Sequence, residues 1–85
     1  MPYITQIARN ELLSRRPQTK GELNYVVTRL LVNYVLLNGK NYQTLSDCMA
    51  ALTDAREEFY RRVVAYYEDE KCSENGDVYG EILKE

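Results

Sequence analysis

Apolar residues along the 85-residue chain recur at helical spacing rather than in strict alternation. Leu23, Val27, Leu30, Tyr34 and Leu37 step by three and four residues, which places them on one helical face. Thr19-Lys20-Gly21-Glu22 just before them reads as a capping box, the threonine accepting from the third helical amide while the glutamate reaches back to the cap amide. Asn38-Gly39 supplies the left-handed residue that closes such a helix. The second helix is therefore expected over 19–39. Val26, Val27, Val32 and Val35 lower its helix propensity, so a strand through Tyr25 to Val35 is the competing element. The period and the two cap signals favour the helix.

Thr44 opens a third and longest helix over 44–71, with Asp47 in its first turn at the positive end of the helix dipole. Leu45, Cys48, Met49, Leu52, Ala55, Phe59, Val63 and Tyr66 run at helical spacing without an interrupting glycine or proline. Glu57 to Arg61 and Glu58 to Arg62 are i,i+4 pairs in the favourable order, each contributing about 0.2–0.5 kcal/mol, and they mark the solvated face. Residues 1–18 form a leader in which Thr5 caps a brief helix carrying Ile7, Leu12 and Leu13, stopped before Pro17. Residues 72–85 form a turn and tail: Asn75-Gly76 reverses the chain, Asp77 bonds nearby amides, and the tail docks through Val78, Tyr79, Ile82 and Leu83. The expected fold is all-α, a single helical domain over 1–85. Two long antiparallel helices joined by about six residues make a helical hairpin, with the short N-terminal helix and the docked C-terminal tail covering its open side.

The second helix carries more apolar surface than one stripe. Val26, Leu31, Val32, Val35 and Leu36 lie between the stripe positions, and Arg29 is the one charge between Leu23 and Leu37. A helix apolar all round is normally buried on every side, and one other long helix does not suffice to cover it. A homo-oligomer is the expected solution, since most soluble oligomers are symmetric assemblies of one chain. Charge points the same way: residues 1–43 hold six basic and two acidic side chains, residues 44–85 five basic and eleven acidic. Complementary halves hold a hairpin together or steer subunits towards one another.

Composition excludes more than it proposes. The chain has no histidine and no tryptophan, and Cys48 and Cys72 lie 24 residues apart, which argues against histidine-based catalysis, His/Cys zinc sites and disulfide scaffolds. On one continuous helix the two thiols would stand about 36 Å apart, beyond any bridge. The start, Met-Pro-Tyr-Ile-Thr, lacks the features of a secretory signal, and Tyr25 to Leu37 falls short of a membrane span. A cytoplasmic protein without a membrane partner is expected. Nucleic acid is a poor fit, because the pI is near 5.2 and the one basic cluster is Arg15, Arg16 and Lys20.

The opening Met-Pro-Tyr-Ile-Thr, GELNY at 21–25, and FYRRVVAYYEDEK at 59–71 leading to ENGDVY at 74–79 together resemble an uncharacterised family, a domain of unknown function, of small phage and bacterial proteins. The resemblance spans roughly residues 1–79 and implies a bacterial host cell as the setting and a host or phage protein as a possible partner, without an activity. Members tend to carry proline where this chain has Ala65 or Tyr66, which implies a less kinked helix here.

Three groups of side chains could carry function. Asn24 and Tyr25 open the second helix, where free amides favour an anion, although Glu22 already fills that role as the capping carboxylate. Arg61, Arg62, Tyr66 and Tyr67, followed by Glu68, Asp69 and Lys71, combine guanidinium and phenol groups of the kind found at interfaces and at sites for nucleotide-like small molecules. Asn75 and Tyr79 of the ENGDVY segment extend this surface. The favoured reading is a non-catalytic interaction protein without a cofactor, binding a protein partner or sequestering a small phosphorylated ligand. The alternative is a magnesium-dependent nucleoside-triphosphate pyrophosphohydrolase that holds Mg²⁺ through Asp54, Glu57, Glu74 and Asp77. That alternative requires two acidic motifs on facing helices, whereas Asn75-Gly76 predicts a turn.

Overall fold

The structure, a computed structural model, describes residues 1–83. It is all-α: α1 is Gln6–Glu11, α2 Lys20–Asn38, α3 Tyr42–Phe59, α4 Ala65–Asn75 and α5 Gly80–Leu83, with a π-helical turn Tyr60–Val64 joining α3 to α4. No strand occurs among the described residues, so the competing strand over 25–35 is set aside. The chain divides into two compact units, Met1–Cys48 and Met49–Glu85, and α3 passes from the first into the second.

Local chemistry explains the elements of Met1–Cys48. Thr5 Oγ1 accepts from the Ala8 amide at 3.1 Å and starts α1. Thr19 Oγ1 accepts from the Glu22 amide at 3.1 Å and starts α2, while Glu22 Oε1 accepts from the Gln18 amide at 3.0 Å, one residue earlier than a reciprocal capping box would have it. Gly21 lies under the N-terminal segment, where an added Cβ would stand 3.4 Å from Ile4 Cγ2. Gly39 ends α2 with φ +89°, a conformation that side chains rarely adopt, and its amide donates to Val35 O at 2.8 Å.

The third helix begins at Tyr42, two residues before the expected start at Thr44. Asn41 is the cap instead, its Oδ1 accepting from the Thr44 amide at 3.0 Å, because asparagine caps at least as well as threonine. Thr44 turns inward, 4% exposed, with its hydroxyl donating to Asn38 O at 3.5 Å. Within this unit α2 also meets the start of α3 through the Tyr34 hydroxyl, which donates to Asp47 Oδ2 at 3.0 Å. That meeting is polar and leaves no apolar seam.

The apolar stripe is half-covered at best. Ala8, Leu12, Val26, Val27, Leu31 and Val32 are half-buried, whereas Leu23, Leu30, Leu36 and Leu37 are exposed, Leu30 by 65%. No apolar side chain among the described residues is buried. A six-residue α1 is too short to cover a helix of 19 residues.

In Met49–Glu85 the helical run ends at Gly76 rather than near Lys71, with φ +93° and the Gly76 amide donating to Cys72 O. It is also not uniform: the Ala65 amide donates to Tyr60 O five residues back, and this wide turn shifts the phase of α4 against α3 by about one residue, or 100°. The unbroken stripe expected through Phe59, Val63 and Tyr66 is therefore offset. Arg61 Nη2 donates to both oxygens of Glu58 at 2.8 and 3.0 Å, and Arg62 stands 3.9 Å from the same carboxylate. Glu57 pairs with Arg56 at 3.5 Å, so the expected Glu57–Arg61 pair does not form. After Gly76, Asp77 Oδ1 accepts from the Tyr79 amide at 2.8 Å, as the turn chemistry predicts. The tail does not bury the side chains expected to dock it: Val78 is 85% exposed, and Ile82 and Leu83 are also exposed. A four-residue α5 presents too little length to do so.

No helix among the described residues is long and apolar enough to cross a membrane.

Candidate functional site

The clearest concavity in Met49–Glu85 is an open cleft of about 430 Å³ between α4 and the returning tail. The turn at Gly76 creates it, because the extended segment before α5 runs back beside the last turns of α4. Tyr60, Glu68, Asp69 and Lys71 line it from the helix side, Asp77, Val78 and Tyr79 from the tail. Its volume lies within the range of small-molecule sites, roughly 300–1,000 Å³.

The cleft has mixed polar and apolar walls and is held by internal bonds. The Tyr60 hydroxyl donates to Glu68 Oε1 at 2.8 Å, across the π turn, and the nearby carboxylate charge pushes the Tyr60 phenol above its ordinary range. Hydrogen bonding to Glu68 is the larger cause, its charge the next. Lys71 Nζ donates to Glu74 Oε2 at 3.1 Å and lies 5.6 Å from the centre of the Tyr67 ring. A cation between a carboxylate and an aromatic face is well satisfied.

Of the residues singled out from the sequence, the cleft brings together Glu68, Asp69, Lys71, Asp77 and Tyr79, with Tyr67 attached through its contact to Lys71. Arg61 and Arg62 are engaged with Glu58 on an exposed helix face, and they, Tyr66 and Asn75 do not line the cleft. Tyr60 was missed because its partner lies eight residues on, outside the three- and four-residue spacings that helical reasoning inspects. Cys72, a free and exposed thiol, borders the cleft as well.

The carboxylates of the magnesium alternative are not gathered. Glu57 and Glu74 lie on one helical run 17 positions apart, about 25 Å at the helical rise. Glu57 pairs with Arg56, Glu74 with Lys71, and Asp77 caps the tail turn. Among the described residues no three acidic or cysteine side chains stand close enough to share a metal ion.

Asn24 and Tyr25 belong to the other unit. Asn24 Oδ1 accepts from the Thr28 hydroxyl at 3.2 Å, a bond along the helix. Tyr25 carries the Arg9 guanidinium 5.5 Å above its ring and faces cavities on the α1 side of α2. The same unit contains a clamp built on a member of the basic cluster: Arg15 donates to Glu22 at 2.8 and 3.2 Å and to Glu11 at 3.1 Å. These bonds hold the Glu22 carboxyl down at about 2 and the Arg15 guanidinium above its usual range.

Residues 1–78 match the family model described as Domain of unknown function (DUF6899). The chain belongs to that family. Neither a curated protein nor a solved structure matches it.

Proposed function

We propose that this family member is a non-catalytic helical interaction protein that works as a homo-oligomer in the cytoplasm of a bacterial host cell. One observation carries the reading: the helices present leucine, valine and tyrosine at helical spacing, and none of these side chains is buried among the described residues. Apolar burial at roughly 25 cal/mol per Å² is the main force that holds a domain together, so the exposed stripe of α2 calls for a covering surface. A second copy supplies it. Met1–Cys48 holds six basic and three acidic side chains and Met49–Glu85 five basic and ten acidic, so each copy offers surfaces of opposite sign to the next. The assembled protein binds a host or phage protein or a small phosphorylated ligand through its remaining arginine- and tyrosine-rich surface, Arg61, Arg62, Tyr66 and Tyr67.

Sedimentation equilibrium of the wild-type chain and of Leu30→Glu tests the assembly. The expected result is a multiple of 9.9 kDa for the wild type and a shift towards the single chain for the variant, where a charge on the covered stripe opposes burial. A single-chain mass for both at high micromolar concentration contradicts it.

A further inference from the structure

We propose that Arg9, Tyr25 and Arg29 form a binding site for a small molecule bearing an oxyanion, a phosphate ester or a carboxylate, on the α1 side of α2. The inference concerns Met1–Cys48 alone.

Electrostatics within the unit leave these two arginines available. Glu11 and Glu22 are both committed to Arg15, and Asp47 accepts from the Tyr34 hydroxyl and from Gln43 Nε2 at 3.0 and 2.7 Å. Among the described residues neither Arg9 nor Arg29 enters an ion pair. Both are nevertheless held in place. Arg9 Nε donates to Ile4 O at 3.0 Å and its guanidinium lies over the Tyr25 ring, while Arg29 Nη2 donates to Asn33 Oδ1 at 3.3 Å. Positioned guanidinium groups are suited to forked, charge-assisted bonding of phosphate or carboxylate oxygens.

Helical spacing gathers the rest. Tyr25, Thr28, Arg29 and Val32 share a face of α2, so the Thr28 hydroxyl stands on the same surface as the two arginines. Two cavities, of about 160 and 280 Å³, adjoin this cluster, and Arg9, Tyr25 and Arg29 line both. Pro2, Tyr3, Thr28 and Val32 complete the first; Leu12, Leu13, Val26, Leu30 and Asn33 complete the second. The two guanidinium groups therefore face an anionic head from either cavity, and the aliphatic side chains in both walls suit a short hydrocarbon body. Each lies below the roughly 300–1,000 Å³ of drug-sized sites, which suits a compact phosphorylated or carboxylated metabolite rather than a dinucleotide.

The test is a titration of ¹⁵N-labelled full-length protein with inorganic phosphate and, separately, with acetate, at constant ionic strength, following the arginine Nε–Hε and backbone signals. Saturable shifts confined to Arg9, Arg29, Tyr25 and Thr28 are expected. Tighter saturation by phosphate assigns the head group as a phosphate ester, and tighter saturation by acetate assigns it as a carboxylate. Linear shifts, or shifts of equal size at Arg16 and Lys20, overturn the proposal. Arg29→Gln, which forfeits one side-chain bond on an exposed face, is expected to keep the helical circular dichroism and weaken saturation at least tenfold. Unchanged affinity in that variant also overturns it.

Discussion

Arg15 and Glu22 face each other in a forked pair, Nη1 to Oε1 at 2.8 Å and Nη2 to Oε2 at 3.2 Å, across the loop that separates α1 from α2. Because Arg15 also holds Glu11, one guanidinium ties the end of the leader to the start of the long helix. Glu22 is 13% exposed, so the pair is shielded from solvent better than an ordinary surface ion pair.

This clamp gives the acid limb of stability a definite sign. The Glu22 carboxyl is lowered from 4.5 to about 2, first by its hydrogen bonds from Arg15 and then by the Gln18 amide. A depressed folded-state value means that the stabilisation is present above pH 4.5 and is lost as pH falls towards 2. Thermal midpoints measured across that window are expected to fall, and Glu22→Gln is expected to lower the midpoint at neutral pH while flattening the acid decline. An equal acid decline in the variant would show that other carboxylates control it.

The Tyr60–Glu68 bond produces the opposite limb. The Tyr60 phenol is raised above 10, so its neutral form is favoured in the folded chain. Its contribution is complete below pH 10 and is lost as pH rises through the higher folded-state value. Difference absorbance of wild type against Tyr60→Phe is expected to isolate one tyrosinate that titrates later than an unperturbed phenol. A transition centred at 10 would contradict the bond.

Two glycines end the long helices in conformations unsuited to side chains, Gly39 at φ +89° and Gly76 at φ +93°. Alanine at either position is expected to cost on the order of 1–3 kcal/mol through backbone strain. Nothing surrounds Gly76 within 4 Å, so its cost is conformational rather than steric. Chemical denaturation of the two variants checks this, and an unaffected midpoint would mean that the helix ends refold freely.

Thr19→Ala is expected to cost about 1 kcal/mol, because its hydroxyl is the acceptor for the Glu22 amide at the start of α2. Thr44→Ala tests a different function of the same residue type. Thr44 is not a cap, so its loss is expected to open the α2–α3 joint, read as faster amide exchange from Asn38 to Leu45, with little change in the helicity of α3.

The helix starts and stops were legible because they depend on neighbours a few residues apart. Thr5, Thr19 and Gly39 serve as their local sequence suggests, whereas Gly76, expected only to turn the tail, also ends the helix past Lys71. Thr44 misled because Asn41, an equally competent cap, sits three residues before it. The π turn at Tyr60–Val64 has no local signature, and it displaces the stripe that a uniform helix would have continued. Half of the candidate chemistry was hidden for a related reason. Arg9 over Tyr25, Arg15 on Glu22 and Tyr60 on Glu68 join residues sixteen, seven and eight positions apart, the first two across the break between α1 and α2 and the third across the π turn, where a uniform helical spacing does not apply. The residues that did stand out, Arg61 and Arg62, lie on an exposed face, Arg61 bonded to Glu58 and Arg62 standing 3.9 Å from the same carboxylate.

The central claim is that a second copy covers the apolar stripe of α2, and native mass spectrometry of the freshly purified chain tests it most directly. A symmetric multiple of 9.9 kDa that dissociates in Leu30→Glu is the result expected. A wild-type spectrum containing the single chain alone, at a concentration where Leu30→Glu looks the same, would contradict it.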